Sequence, residues 1–383
     1  MKTRIFIIII PFILLLSSFE CEQTIEPIAK YEAKVVWSYL VADKGFSDLV
    51  MPFIENGLAY IAADSTLKCI KLKSGNIEWE TFLGISGSRV LHSQKLLHSD
   101  NLLFLNHSNW IKAYDKSSGN LVWFTTIENF DEIDLSIMSQ NGNSILLGGQ
   151  GEVIKLSKLT GNIELRIELE ELIPAGYSQG AYNPVISEDG FIYVPTGWNT
   201  GNGLKGNLLC YNSENGKYLW GFESPHNFDI QSCDFKDSLL IFASSSTMFA
   251  LNRFNGRKIW ETTVSNDAFW ESVTINDETV YMGSTALAKM YAFDLRTGKL
   301  KWISEGTKSS IITIITVQNG RVYFCNFAYI YVLDASTGSV IWKGLPPEYA
   351  TDKSYRYSSP VAVGEGYMVC IGNKKVYCLT DPQ

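Results

Sequence analysis

The sentence Ala292-Phe-Asp294-Leu-Arg-Thr297-Gly298-Lys-Leu-Lys-Trp302 recurs, with variations, in seven copies along this 383-residue chain, and the recurrence constrains the fold more than any other feature. The motif glycine stands at positions 75, 119, 161, 216, 256, 298 and 338, so the steps are 44, 42, 55, 40, 42 and 40 residues. That period is the length of one four-stranded propeller blade. The stretches Lys289 to Asp294, Tyr329 to Asp334 and Trp110 to Asp115 alternate and are rich in β-branched and aromatic residues, which reads as strand. Thr-Gly or Ser-Gly then reverses the chain: Gly supplies the positive φ of a tight turn, and Asp or Asn bonds the local backbone. A blade buries both faces against its neighbours, so one large ring at a fixed place per blade serves inter-blade packing. By the same logic Asp115, Asp294 and Asp334, repeated by the fold, are turn-bonding groups rather than catalytic ones.

Tryptophan occupies the docking place at Trp37, Trp79, Trp123, Trp220, Trp260, Trp302 and Trp342, with Leu165 standing in once. This makes eight outer strands but only seven glycine turns. The chain ends resolve the mismatch. Ser359-Pro-Val-Ala-Val, Tyr367-Met-Val-Cys-Ile and Lys375-Val-Tyr-Cys-Leu supply three strands of a last blade, and Lys34-Val-Val-Trp37-Ser supplies the fourth from the N-terminus. The expected fold is therefore all-β: an eight-bladed β-propeller of four-stranded antiparallel blades over 34–383, closed by pairing its two ends. It forms one domain, because each blade leans on the next.

The repeated sentence resembles the tryptophan-docking motif of PQQ-like β-propellers, which include quinoprotein dehydrogenases and the BamB-type outer-membrane assembly lipoproteins. The resemblance runs from Trp37 to Thr380 and is specific for fold, not for activity. Two copies depart from it: Lys155, Ser157 and Leu165 replace Ala, Asp and Trp around Gly161, and Cys69 and Lys71 replace Ala and Asp around Gly75.

Residues 1–20 read as an address. Lys2 and Arg4 precede the apolar run Ile5 to Leu16, too short to span a bilayer comfortably, and Ser17-Ser18 and Cys21 follow. Cys21 resembles the lipidated first residue of a bacterial lipoprotein, although Glu20 occupies the place where that pattern wants a small residue; simple secretion with cleavage near Ser18 is the alternative. Residues 21–33 form a short tether. The whole chain carries 32 basic and 40 acidic residues, and without residues 1–20 these become 30 and 39, a net charge near −9. Such a surface repels nucleic acid and anionic headgroups, which leaves a lipid as the one hold on a membrane.

Of the seven cysteines, Cys69, Cys210 and Cys378 fall at the motif's small-residue place and Cys325 and Cys370 on second strands, so all five read as buried apolar residues and no disulfide is expected. Cys233 has no place in the motif. His92, His98, His107 and His226 are scattered and form no metal pair, and neither a nucleophile elbow, a P-loop nor a haem-attachment motif occurs. The resemblance to quinoprotein dehydrogenases implies an adjacent Cys pair, a Ca²⁺ site and an Asp base, none of which maps onto this sequence. Neither a cofactor, PQQ included, nor a metal is expected.

Specificity on a rigid ring belongs to its loops. The turn between second and third strands and the connector between blades share one rim, and the longest blade gains its extra residues there, in Thr196 to Gly206 and Ile167 to Tyr182. Tyr177, Tyr182, Trp198, His226, Phe269, Trp270, Tyr355 and Tyr357 form a candidate binding rim. The alternative is that these rings plug the channel or cap the blades. Three functions follow: a non-catalytic, lipid-anchored envelope scaffold on a Gram-negative outer membrane that binds a protein partner, as the resemblance implies; a carbohydrate or small-ligand binder, if Trp198, Trp270 and Tyr355 line one pocket; or, least supported by residues, a PQQ enzyme.

Overall fold

The computed structural model describes residues 32–41, 50–63, 65–84, 96–107, 109–128, 137–149, 151–169, 179–199, 203–269, 273–307, 309–311 and 313–382. Residues 31–383 form one compact unit. Eight antiparallel sheets follow one another along it, and one 3₁₀ turn, Pro347–Ala350, is the only helical element among the described residues. Blade 1 comprises Phe53–Glu55, Leu58–Ala63, Thr66–Lys71 and Ile77–Phe82. Blades 2, 3 and 5 run from Leu97–Ser99 to Leu121–Thr126, from Ser139–Asn141 to Ile163–Glu168 and from Cys233–Lys236 to Lys258–Thr263. Blade 4 runs from Gln179–Ala181 to Tyr218–Glu223, blade 6 from Thr274–Asn276 to Leu300–Ile303, and blade 7 from Thr316–Gln318 to Val340–Gly344.

Blade 8 is the composite expected from the two chain ends. Ala362–Gly364, Tyr367–Ile371 and Lys375–Thr380 come from the C-terminus, and Val35–Leu40 adds its outer strand with Trp37 opposite Cys378. Backbone bonds extend this pairing at both ends, Thr380 N to Lys34 O and Val41 N to Lys374 O, each 2.9 Å.

Exposure follows position within a blade. Second strands are buried almost throughout, because neighbouring blades cover both of their faces, whereas fourth strands alternate between exposed and half-buried residues at the periphery. Each hydrophobic cluster accordingly draws on two adjacent blades: Leu103, Leu105 and Tyr114 of blade 2, for instance, pack with Tyr60, Ala62, Leu67 and Cys69 of blade 1.

The motif proves to be a docking joint between blades. Its small residue lies opposite the tryptophan across the ladder, as in Ala113 with Trp123, Cys210 with Trp220 and Ala292 with Trp302, and a bulge follows immediately. The indole then reaches the next blade. Trp37, Trp79, Trp123, Trp260 and Trp302 donate through Nε1 to the carbonyls of Leu72, Lys116, Lys158, Leu295 and Ala335 at 2.8–3.0 Å. Each accepting residue directly follows the motif's Asp place. Trp220 keeps the packing, but its Nε1 is buried without a partner.

The motif glycine is required twice over. Gly298 has φ 67°, and a Cβ there would stand 2.5 Å from the ring of Trp260. Beside it Asp294 accepts from Thr297 N (2.9 Å) and Oγ1 (2.7 Å), and the Thr297 hydroxyl holds its carboxyl below the usual range. Asp334 and Asp115 make the same turn bonds.

Candidate functional site

The two rims of the ring are built differently. On the lower rim, where the motif turns lie, cations reach back to acids of the preceding blade: Lys116 Nζ to Glu55 at 2.6 Å, Lys158 Nζ to Asp100 at 3.2 Å, and Arg253 to both oxygens of Asp189 at 2.6 and 2.8 Å. All three cations occupy the place directly after the motif's Asp; Lys116 and Lys158 each receive the neighbour's indole at the carbonyl and latch that neighbour with the side chain, and Arg253 provides the latch alone. This pattern escaped the sequence reading, although the shared place was its visible signal. The lower rim is thus occupied by cohesion.

The upper rim carries the irregularity. Phe191–Asn199 runs nine residues, longer than any other strand among the described residues, and is buried from Ile192 to Trp198, past the usual turn point. Part of the segment expected to be a turn is consequently strand. Gln179–Ala181 pairs with Thr196–Trp198 on one side and Leu204–Lys205 with Trp198–Asn199 on the other, making a small three-stranded sheet above the blade.

The connector from blade 4 to blade 5 lies against this sheet. Gly197 and Gly206 permit it, since a Cβ at Gly197 would fall 2.4 Å from Asp229 Cβ and one at Gly206 would fall 2.7 Å from Ile230 N. Asp229 is only 4% exposed. Gln231 Nε2 donates to its Oδ2, Tyr182 bonds to it as well, and Oδ1 is buried with no donor. Burial pushes its carboxyl above the usual range, outweighing those bonds. Asn183 extends the network around the axis, accepting from Ile137 N at 2.8 Å and donating to Gln231 O at 3.0 Å.

Asp267, on the next connector, shows what satisfaction does to a similar group. Burial again pushes its carboxyl up, but the Leu287 and Ala268 N–H groups and the Tyr291 hydroxyl, at 2.9, 2.9 and 2.7 Å, outweigh burial and hold it below the usual range. Around Asp229 the side chains are those of Gln231, Asn183 and Tyr182 with a single carboxyl, a set poor in the carboxylate oxygens that a divalent cation takes. Among the described residues no group of three or more His, Cys, Asp or Glu converges to hold a metal.

The expected rim residues divide. Cys21, Tyr177 and Trp270 lie outside the described residues. Trp198, Phe269 and Tyr357 are 8%, 2% and 0% exposed, so their rings pack inward: Phe269 meets Tyr291 edge-on at 5.5 Å and Tyr357 meets Tyr377 at 5.2 Å. Tyr182 is half-buried on Gly180 and Gly197, His226 lies 6.0 Å from the Phe249 ring, and Tyr355 sits under Lys374 Nζ at 4.8 Å. Tyr182 and His226 flank blade 4, whereas Tyr355 belongs to the connector between blades 7 and 8. Trp198 offers no ring face to a sugar.

The six described cysteines are free and buried. Burial pushes the thiols of Cys69, Cys210 and Cys378 up to about 11, about 12 and about 12, which leaves little thiolate at neutral pH. Cys233, unplaced by the motif, opens the inner strand of blade 5. No helix among the described residues is long and apolar enough to cross a membrane.

Comparison with known proteins places these features in a wider set. A family model described as outer membrane protein assembly factor BamB matches residues 28–222, 107–343 and 204–381. The crystal structure of BamB from Moraxella catarrhalis superposes with a TM-score of 0.66 at 12% identity, covering 91% of this chain and 100% of that one. The quinohemoprotein alcohol dehydrogenase ADHIIG from Pseudomonas putida HK5 reaches 0.67 at 11% identity, covering 91% of this chain and 76% of that one. At such identities both show the fold alone. The tetrathionate hydrolase of Acidithiobacillus ferrooxidans is 23% identical over 153 residues, which are 35% of this chain and 30% of that protein. The matched stretch thus spans less than a third of that curated relative.

Proposed function

The chain belongs to the family described as outer membrane protein assembly factor BamB, and from that membership we propose a non-catalytic, lipid-anchored envelope scaffold whose upper rim holds a protein partner in outer-membrane assembly. The observation that carries this reading is the division of labour between the rims. Cation latches occupy the lower rim, while the strands Gln179–Ala181 and Leu204–Lys205 add to the upper rim of blade 4 a small sheet that, among the described residues, no other blade carries. At its tip Asn199 is exposed and Leu204 and Lys205 are half-buried, within reach of another protein.

Photocrosslinkers at Asn199 and Lys205, compared with Lys217 and Asn255 in the lower turns, test the proposal in intact cells. The expected result is capture of an outer-membrane assembly component from the two upper positions only. Equal capture from both rims, or none from the upper, removes the rim role. The non-catalytic part is tested separately: dye-linked alcohol oxidation by the purified protein supplied with PQQ and Ca²⁺, or turnover of tetrathionate, would overturn it.

A further inference from the structure

The outer wall of the ring is not uniform. On blades 3 to 5 the outward positions of the fourth strands mix Glu164, Arg166, Glu168, Glu223, Lys258 and Glu261 with Ile163, Tyr218, Leu219 and Ile259, and none of these last four is more than 48% exposed. On blades 8, 1 and 2 the same positions are mainly apolar. Leu40 is 71% exposed and Phe82 69%, with Phe124 at 53%, Ile77 and Leu121 at 52% and Val122 at 50%. Lysines bridge these three blades and make one surface of them. Lys68 pairs with Glu80 and stands 5.6 Å over the Tyr39 ring of blade 8. Lys112 donates to Leu83 O of blade 1 at 2.7 Å and covers Trp110 and Phe124 at 4.4 and 5.4 Å. An apolar wall with aromatic rings and lysine stems suits the boundary between headgroups and acyl chains.

We propose that the wall formed by the fourth strands of blades 8, 1 and 2 contacts the surface of a phospholipid bilayer. The occupant follows from where the chain leaves the ring: Val35 begins the outer strand of blade 8 inside this wall, and 13 residues, 21–33, separate the ring from Cys21. A tether of that length reaches at most about 50 Å when fully extended. The proposal rests on the anchored reading above, because an anchor holds the wall at high local concentration beside lipid, where weak apolar contact suffices. The acidic net charge gives anionic headgroups no part in it.

The mature, lipidated protein bound to phosphatidylcholine vesicles tests this by hydrogen exchange. Exchange across 77–82 and 121–126 slows about twofold or more relative to detergent, while 258–263 stays unchanged, and added salt does not reverse the effect. Phe82→Glu with Phe124→Glu abolishes the protection although the protein still floats with the vesicles. Floating without protection of these strands, or protection spread evenly around the ring, overturns the membrane wall and leaves the anchor standing. Failure to float removes the anchor and this proposal with it. The same protection in vesicle-free protein that sediments as a dimer assigns the wall to a second copy instead and overturns the proposal.

Discussion

Gly298 and Gly216 occupy the same turn but face different neighbours, and the contrast isolates what a docking ring demands. A Cβ at Gly298 would stand 2.5 Å from Trp260, whereas at Gly216 the nearest atoms, on Ile167 and Leu165, lie 3.2 and 3.3 Å away. Both residues have positive φ, so Ala pays the backbone strain at either site, about 1 kcal/mol, and only at Gly298 does overpacking of roughly 2 kcal/mol more join it. Denaturant midpoints of Gly298→Ala and Gly216→Ala should differ accordingly; equal losses would show that the ring exerts no pressure on the turn. The degenerate copy is itself compensated. Leu165 has no indole, and Lys155, standing where other blades have a small residue, donates through Nζ to Ser213 O at 2.9 Å, the carbonyl at the place that accepts an indole elsewhere. Lys155→Ala should cost about 1–3 kcal/mol by stranding that carbonyl. The double variant Lys155→Ala with Leu165→Trp should recover most of the loss in a double-mutant cycle, and strict additivity would refute the exchange of donors.

At the scale of elements, the connector from blade 4 to blade 5 stores an unfavourable group. The folded carboxyl of Asp229 titrates above its unfolded value, so the native state holds the proton more tightly. Stability tied to that proton is therefore fully present below the unfolded pKa, about 4, and is lost as pH rises through the raised folded value. Asp229→Asn keeps the shape, removes the buried charge and should raise the melting temperature at neutral pH but not at about pH 3. A stability gain that persists unchanged in acid would place the effect in packing instead. The sequence made the regular elements legible because each joint repeats with one period: Trp, Gly and the Asp turn report the strands, their order and the closing pair. Asp229 and the latches Lys116, Lys158 and Arg253 were harder to see. Their partners lie 61, 58 and 64 residues away for the latches, and only the curvature of the ring brings such residues together. For Trp198, Phe269 and Tyr357 the sequence placed the rings near the rim, but whether a ring turns inward is decided by neighbouring blades, which periodicity does not report.

For the whole molecule the composite blade is decisive. Removing 34–40 takes the outer strand from Lys375–Thr380 and uncovers Cys378, Val376 and Leu379, which are at most 2% exposed. Loss of that strand should lower the unfolding midpoint of the entire ring and not of blade 8 alone, since each cluster spans two blades. A midpoint unchanged by the deletion would refute closure as the source of cohesion.

The bond from Lys34 N to Thr380 Oγ1 joins residues 346 apart, nearly the full length of the polypeptide. A ribosome releases the first of these long before the second. The earliest β segment to emerge must therefore wait, its backbone unmatched, until synthesis is finished, and during that interval a holding chaperone has more to protect here than in a propeller whose last blade is made of consecutive residues.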